Sequence, residues 1–281
     1  MKKILTIVAS GIAVGLCFLG VPALCQVPSP SPAEQAPKVA NAPVVTSEHP
    51  LTPVIHWAER ERPRIVTIDD YTAIVQKQEN IDGEVHGVQV MEIKIRHRPF
   101  SVYTKFRFPQ DLNGQQAIYV QGKNDDRILG HGVGFQRTLG THSLDPAGFI
   151  AMRGQKYPIT DIGLLNLVDK LVEVGYKDSR FGECTVKYIE GATLFKNTSP
   201  RECTVIHVEH PVPRPYFTFH VARIYVDKEL NLPIRYESYE WSRKAGETPK
   251  LLEVYEYRDL KLNVGLTDKD FDPANPEYGF P

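Results

Sequence analysis

The chain has 281 residues, of which 42% are apolar and 24% charged, and its 33 basic side chains nearly balance 34 acidic ones. This balance argues against a nucleic-acid-binding protein, which usually carries a basic excess. Four cysteines are too few for a disulfide-rich scaffold of this size. The 13 tyrosines, 12 phenylalanines and 22 prolines instead favour a strand-rich fold with many turns.

Residues 1–25 are predicted to be a secretory signal peptide. A basic start precedes an uncharged apolar run over 4–21, and Ala23 and Cys25 would be the small residues of a cleavage site before Gln26. Two alternatives stay open: lipidation at a cysteine, and retention of the apolar run as a membrane anchor, because its length is nearly enough to span a bilayer. In each case we expect an exported protein, periplasmic or otherwise in the cell envelope.

The segment that follows is predicted to be a disordered linker, and the rest of the chain a single domain. Residues 26–50 contain six prolines and few large apolar residues. Residues 51–281 show no internal repeat and no break in composition. After cleavage this domain would retain only Cys184 and Cys203, and an exported protein with two cysteines most simply pairs them in a disulfide. Two separate buried thiols are the alternative.

The first part of the domain is predicted to be a helix followed by antiparallel strands. Apolar residues at helical spacing begin at Leu51, Thr52 is a suitable start, and Pro63 is expected to end the helix. Alternation with period two then predicts strands, because one apolar face marks a strand whose other side meets water. These strands cover 69–81, 91–96, 100–108, 115–121 and 127–131.

The second part begins with helices and returns to strands. A short helical stretch is expected over 145–152, and Thr160 or Asp161 is expected to cap a longer helix that ends near Val174. This helix is apolar over most of its surface, so it must be buried on more than one side or cover a cavity. Further strands are predicted over 185–194, 203–209, 217–226, 233–241 and 251–262. The sequence thus predicts a β-rich α+β fold with about ten antiparallel strands and two or three helices.

Familiar catalytic and metal-binding motifs are missing from the sequence. It has no nucleophile elbow, no zincin motif and no phosphate-binding loop. His207 and His210 would lie on opposite faces of a strand, so we expect surface or turn histidines there. The acidic run over 268–272 resembles a calcium loop, but Thr267 and Asp270 fit a helix-capping box better. We therefore predict no catalytic residue, no cofactor and no metal.

The apolar faces of the strands, together with the leucine-rich helix, form a broad apolar surface. It could be an ordinary core beneath the helices, or a core with an opening that accepts an acyl chain or lipid. The candidate ligand-binding residues of such a cavity are Met91, Ile93, Ile95, Phe100, Val102, Phe106, Leu164, Val168, Leu171, Phe217 and Phe219.

Several stretches together resemble an uncharacterised family of exported bacterial proteins in the outer-membrane lipoprotein-sorting (LolA-like) superfamily. The resemblance covers most of 50–281 and is carried by RHRPFSVY at 96–103, YVQGKN at 119–124, PITDIG at 158–163 and LPIRY at 232–236, among others. It implies an open, half-closed antiparallel β-barrel with helices across its concave face. In relatives that hollow holds lipoprotein acyl chains or other amphipathic ligands. No individual ligand-contacting residue can be carried over.

The expected function is non-enzymatic binding of a lipid, an acyl chain or a lipidated protein. The mature domain should be soluble and close to a membrane, with an envelope protein as a further partner and no nucleic acid. One alternative is an envelope hydrolase, which would require His97, His131, His142 or Asp145 to cluster in a pocket. Another is a protein-interaction or stress-sensor module on the same fold.

Overall fold

The computed structural model describes residues 48–242, 244 and 246–281, so the predicted signal peptide and nearly all of the predicted linker lie outside the described residues. The described chain forms helices α1 (Thr52–Val66), α2 (Phe149–Met152) and α3 (Leu164–Asp178). Its strands are β1 (Asp70–Ile81), β2 (Glu84–Val85), β3 (Gln89–His97), β4 (Phe100–Phe108), β5 (Gln116–Val120), β6 (Ile128–His131), β7 (His142–Leu144), β8 (Thr185–Leu194), β9 (Arg201–Glu209), β10 (Val221–Asp227), β11 (Pro233–Tyr239) and β12 (Leu251–Leu262).

All of these strands join one antiparallel sheet. Its order is β7-β6-β5-β4-β3-β1-β12-β11-β10-β9-β8, and β2 pairs with β1 outside this path. The sheet is open, with β7 and β8 as its edges, which confirms the predicted β-rich, half-barrel fold. It has 12 strands rather than about ten. The additional strands β2 and β7 have two and three residues, too few for a periodic pattern.

One face of the sheet packs against α1 and α3, which also pack against each other. Tyr71, Ala73 and Val75 of β1 point to this helix side because alternate residues of a strand share a face. Ile65 of α1 and Leu164 of α3 are fully buried against them. The sheet and the two helices therefore share one core.

The opposite, outer face of the sheet is polar over β10, β11 and β12. Arg223 Nη1 donates to Glu237 Oε1 at 2.9 Å, and Arg235 Nη2 donates to Glu237 Oε2 at 2.6 Å. Arg258 Nε donates to Glu256 Oε1 at 2.7 Å. Arginines and glutamates of these strands thus form ion pairs on this face of the sheet.

The last residues of the chain cover another part of the outer face. Phe271 and Tyr278 are buried against Tyr103 of β4 and neighbouring residues of β5. The expected capping box is confirmed, since the Thr267 N–H donates to Asp270 Oδ2 at 2.9 Å and the Thr267 side chain accepts from the backbone N–H of Asp270. This segment therefore extends the core to the far side of the sheet.

Both long helices differ from their predicted boundaries. Helix α1 does not end at Pro63 but continues to Val66, because Ile65 in its last turn is fully buried. Helix α3 begins at Leu164, not at Thr160 or Asp161. Gly163, with a φ of 117°, turns the chain into the helix, and the Tyr71 hydroxyl accepts a hydrogen bond from the Leu164 N–H at 2.9 Å. The cap comes from tertiary structure rather than from a neighbouring side chain.

The predicted disulfide is wrong. Cys184 and Cys203 are both free and buried. In the β8–β9 hairpin Cys203 lies opposite Ala192, whereas Cys184 directly precedes the pair formed by Thr185 and Glu209. Cys203 is therefore six residues along β9 from Glu209, the residue opposite the neighbour of Cys184. Six residues of strand span about 20 Å. A disulfide requires Cα atoms within about 7 Å.

An amphipathic cavity as the candidate functional site

A cavity of about 1470 Å³ lies between the helix side of the sheet and the helices. Its walls come from α1, α2, α3, the helix-side residues of the sheet and the chain that connects α2 to α3. Pockets for small ligands typically occupy about 300–1,000 Å³. The cavity is therefore large enough for a ligand bigger than an ordinary metabolite.

One wall of the cavity is apolar. This apolar wall consists of residues from α1, α3 and the β9–β10 part of the sheet, namely Leu51, Val54, Ile55, Leu171, Val208, Phe219, Ala222 and Ile224. Most of them are buried, and none carries a polar side chain. A ligand in contact with this wall would have to present hydrocarbon to it, because an unpaired polar group there would be costly.

The predicted ligand-binding residues divide between the cavity and the core beneath it. Met91, Phe106, Leu171 and Phe219 line the cavity. The structure does not bring the other seven to its surface: Ile93, Ile95, Val102, Leu164 and Val168 are buried in the core, Phe100 packs against that core, and Phe217 stacks on His210. Ligand binding by the first four stays a prediction.

The floor of the cavity carries polar side chains in two rows, which we name the polar belt. In the first row Gln89, Lys77, Tyr255 and Tyr236 lie side by side on β3, β1, β12 and β11. In the second row Glu79, Glu253 and Ser238 do the same on β1, β12 and β11. All seven line the cavity.

Charged and neutral groups of the belt are bonded to one another. Lys77 Nζ donates to Glu79 Oε2 at 2.8 Å, and the Tyr255 hydroxyl donates to Glu79 Oε1. Ser238 Oγ lies 3.4 Å from Glu253 Oε1. Burial lowers the pKa of Lys77 and raises the pKa of Tyr255, so the tyrosine stays a neutral donor.

The chain between α2 and α3 crosses above the belt and is bonded to it. Gln155 Oε1 accepts from Lys77 Nζ at 2.5 Å, and the backbone N–H of Lys156 donates to Glu79 Oε2 at 3.1 Å. Lys156 Nζ and the Tyr157 hydroxyl lie 2.8 and 3.0 Å from Glu253 Oε2. These bonds hold the crossing segment, residues 153–158, over one end of the cavity.

Three buried polar atoms of cavity-lining residues have no hydrogen-bond partner in the described part of the chain. They are Gln89 Oε1, in the first row of the belt, Asp178 Oδ1, at the end of α3, and His131 Nε2, at the end of β6. The other oxygen of Asp178 lies 3.1 Å from His210 Nε2. His210 is fully buried, so the expectation of a surface or turn histidine is wrong at this position.

Sequence reasoning missed the polar belt, although β1 contains a signal for it. Tyr71, Ala73 and Val75 are apolar residues of one strand face, and Lys77 and Glu79 continue the same alternation. Charged residues in register with a buried face indicate a polar site inside the protein. The partners on β12 and β11 could not be identified, because strand order is not visible in the sequence.

Exposed apolar residues surround the cavity mouth near the β7 edge of the sheet. Phe149 and Ile150 in α2 are 86% and 69% exposed, and Phe135 and Leu139 are also exposed in the segment before β7. Ile150 and Leu139 line the cavity as well. These two residues therefore belong both to the cavity lining and to the exposed surface.

The structure brings two of the four residues of the hydrolase alternative, His131 and His142, to the cavity. His131 packs against Phe280, and His142 is exposed. His97, which contacts the Tyr71 ring edge-on, and Asp145 do not line the cavity. Within the described ranges no three His, Cys, Asp or Glu side chains are placed to hold a metal ion. The described helices are all too short or too polar to cross a membrane.

Comparison with known proteins places the sequence in a family without an assigned activity. Residues 68–280 match the model of the family described as "Protein of unknown function (DUF1571)". A search of curated proteins finds no match.

Several solved structures are similar to this chain at low sequence identity. A lipoprotein-sorting protein domain from Vibrio parahaemolyticus is 12% identical, covering 78% of this chain and 95% of its own, with a TM-score of 0.36. The lipoprotein LppX from Mycobacterium tuberculosis is 12% identical, covering 79% of this chain and 100% of its own, with a TM-score of 0.42. A LolA superfamily protein from Nitrosomonas europaea is 12% identical, covering 77% and 96%, with a TM-score of 0.30.

Proposed function

The chain belongs to the DUF1571 family, whose description assigns no activity, and we propose from its cavity that it is an exported, non-enzymatic binding protein. Its ligand is a lipid, an acyl chain or the acylated end of a lipidated protein. The hydrocarbon part lies against the apolar wall, beneath α1 and α3. The protein carries this ligand in the cell envelope and does not transform it.

The observation that carries this proposal is the cavity of about 1470 Å³ with one wholly apolar wall. Water in contact with such a wall gains few hydrogen bonds, whereas an acyl chain gains about 0.8 kcal/mol for each methylene removed from water. The exposed Ile150 supports the same proposal, because it lines the cavity and also presents apolar surface to the outside.

Titration of the purified, delipidated protein with a fluorescent fatty acid tests this function. We expect saturable binding of about one equivalent or more, and native mass spectrometry of protein from the producing cell should show an added lipid mass. A protein that binds no acyl probe and carries no lipid would contradict the proposal.

A variant that fills the cavity links binding to this site. Ala222 lies on the apolar wall, and Ala222→Phe should weaken binding of the fatty acid at least tenfold because the ring occupies the space of the chain. Leu171→Trp, from the half-buried side of α3, should have the same effect with less strain on the sheet. Ala274→Phe, in the exposed C-terminal segment, is the matched control and should bind normally.

A further inference from the structure

The polar belt makes the cavity amphipathic, and its hydrogen-bonding capacity is unevenly used. Three residues of the cavity wall have an unpartnered buried atom among the described residues: Gln89 Oε1, Asp178 Oδ1 and His131 Nε2. All three are acceptors, since His131 Nδ1 donates to the Gly132 carbonyl and leaves Nε2 unprotonated in the neutral ring. Leaving a buried acceptor without a donor is unfavourable, so such atoms in a cavity indicate where a ligand supplies donors. Gln89 and Asp178 lie toward opposite ends of the belt: Gln89 begins the first row on β3, and Asp178 ends α3, which contacts β11, the strand at the other end of that row.

Asp178 ends α3, which contacts β11, the strand of Tyr236, and both residues line the cavity. Burial raises the pKa of Tyr236, and the nearby charges of Glu253 and Asp178 raise it further. Asp178 itself is only 1% exposed, and its second oxygen is engaged by His210. Its free oxygen is therefore held in place and cannot turn toward solvent.

The buried charges of the cavity floor also favour a ligand that donates hydrogen bonds. Three buried carboxyl groups, those of Glu79, Glu253 and Asp178, face the cavity, against one buried ammonium group, that of Lys77. Lys156 adds a second, less buried ammonium group. Both lysines are already bonded, to Glu79, Gln155 and Glu253, so neither is left on the floor as a counter-charge for an incoming anion. Arg153, Lys170 and Lys177 also line the cavity, but all three are exposed and do not belong to the belt.

From this arrangement we propose that the polar belt is a headgroup subsite that selects amphiphiles whose heads donate hydrogen bonds and carry no negative charge. Hydroxyl, amide and ammonium groups fit this description, and phosphate and carboxylate heads do not. The subsite rests on the proposed function, because the head can reach Gln89 or Asp178 only when the hydrocarbon chain occupies the cavity.

The test uses four ligands that share an eight-carbon chain and differ only in the head, each below its micellar concentration. Octyl glucoside and octylammonium donate hydrogen bonds, octyl methyl ether only accepts them, and octyl phosphate is an anion. Displacement of the fluorescent fatty acid from the full chain gives each dissociation constant. We expect the two donor heads to bind about threefold to tenfold more tightly than the ether for each acceptor that they satisfy, and octyl phosphate to bind most weakly.

A single variant separates the subsite from the cavity as a whole. Gln89 Oε1 bonds to nothing among the described residues, so Gln89→Met removes an acceptor without breaking a contact of the fold. It should weaken octyl glucoside and leave octyl methyl ether unchanged, whereas Gln121→Met on the exposed surface should change neither. Asp178→Asn, checked for normal stability, should weaken octylammonium more than octyl glucoside.

The outcomes distinguish failure of the subsite from failure of the proposed function. If none of the four amphiphiles displaces the probe and the probe itself does not bind, the binding function is wrong. If all four bind equally, if octyl phosphate binds as tightly as the donor heads, or if Gln89→Met weakens the ether and glucoside alike, the headgroup subsite is overturned while acyl binding stands.

Discussion

Tyr71 connects the centre of the sheet to the start of α3. Its ring is fully buried, its hydroxyl accepts the Leu164 N–H at 2.9 Å, and burial holds its pKa well above the ordinary value, so that it remains neutral. Tyr71→Phe should lower the free energy of unfolding by about 1–3 kcal/mol, because the variant leaves a buried N–H without an acceptor. Urea denaturation followed by circular dichroism measures this loss.

The control for this prediction is the same change at an exposed tyrosine. Tyr188 of β8 is half exposed, and Tyr188→Phe should alter stability by no more than about 0.5 kcal/mol. Equal effects of the two substitutions would show that the hydroxyl of Tyr71 does not cap α3.

Asp227, at the end of β10, gives the stability a defined dependence on pH. Burial alone would raise its pKa, but hydrogen bonds from Arg201 and from the backbone of Leu230 outweigh burial and lower it. Arg201 Nη2 and the Leu230 N–H lie 2.7 and 2.8 Å from Oδ1. A lowered carboxyl pKa stabilises the fold above the unfolded-state value of about 3.9, and this contribution disappears as the pH falls through the lower folded-state value.

The measurement compares Asp227→Asn with the natural chain at two pH values. At pH 7 the variant should be less stable by about 1–3 kcal/mol, and the difference should shrink as the pH falls below the unfolded-state pKa of about 3.9. Asp82→Asn, in the exposed β1–β2 turn, should show no loss at either pH. A difference that stays constant with pH would mean that the charge of Asp227 contributes nothing.

The register of the β8–β9 hairpin keeps the two cysteines apart. Cys184 and Cys203 belong to different core clusters, and burial raises the pKa of the Cys184 thiol to about 12 and that of Cys203 to about 11. Both thiols should therefore react slowly with an alkylating reagent in the native protein. In denaturant they should react quickly, with no need for prior reduction. Peptide mapping after alkylation checks each position, and a disulfide-linked peptide containing both would contradict the structure.

The limits of sequence reasoning are visible at the same hairpin and at α3. Alternation in β8 and β9 predicted both strands, but the disulfide depended on a register that local sequence does not specify. The start of α3 was misplaced for a similar reason. Thr160 and Asp161 are good capping residues by type, yet the buried Tyr71 hydroxyl and the turn at Gly163 fix the helix start.

At the scale of the whole molecule, sequence patterns predicted the fold class better than the cavity. Period-two alternation is a local property of each strand, so most strands could be found. Which residues of an apolar face reach a cavity depends on where the helices stop covering the sheet. Met91 and Ile93 have the same character and lie on the same strand face, but only Met91 lines the cavity. The partners of the polar belt come from strands far apart in the sequence.

The C-terminal segment stabilises the sheet from the side opposite the cavity. Phe271 and Tyr278 are buried on the outer face, where the Tyr278 ring stacks on Tyr103 with centroids 4.1 Å apart, and Asp270 Oδ1 lies 2.7 Å from Lys94 Nζ. Deletion of residues 267–281 should lower the free energy of unfolding by about 3–6 kcal/mol, because two large side chains lose about 1.5–3 kcal/mol each. Urea denaturation compares the truncated and complete chains.

Ligand binding should respond differently to this deletion, because the apolar wall and the polar belt lie on the face of the sheet opposite to the C-terminal segment. No described residue after Tyr257 lines the cavity. At a temperature where the truncated chain is still folded, its dissociation constant for the fluorescent fatty acid should match that of the complete chain. Phe271→Ser in the complete chain should reproduce part of the stability loss, again without weaker binding. If the deletion abolished binding in a folded protein, the two faces would be energetically coupled, and the outer core would be part of the site.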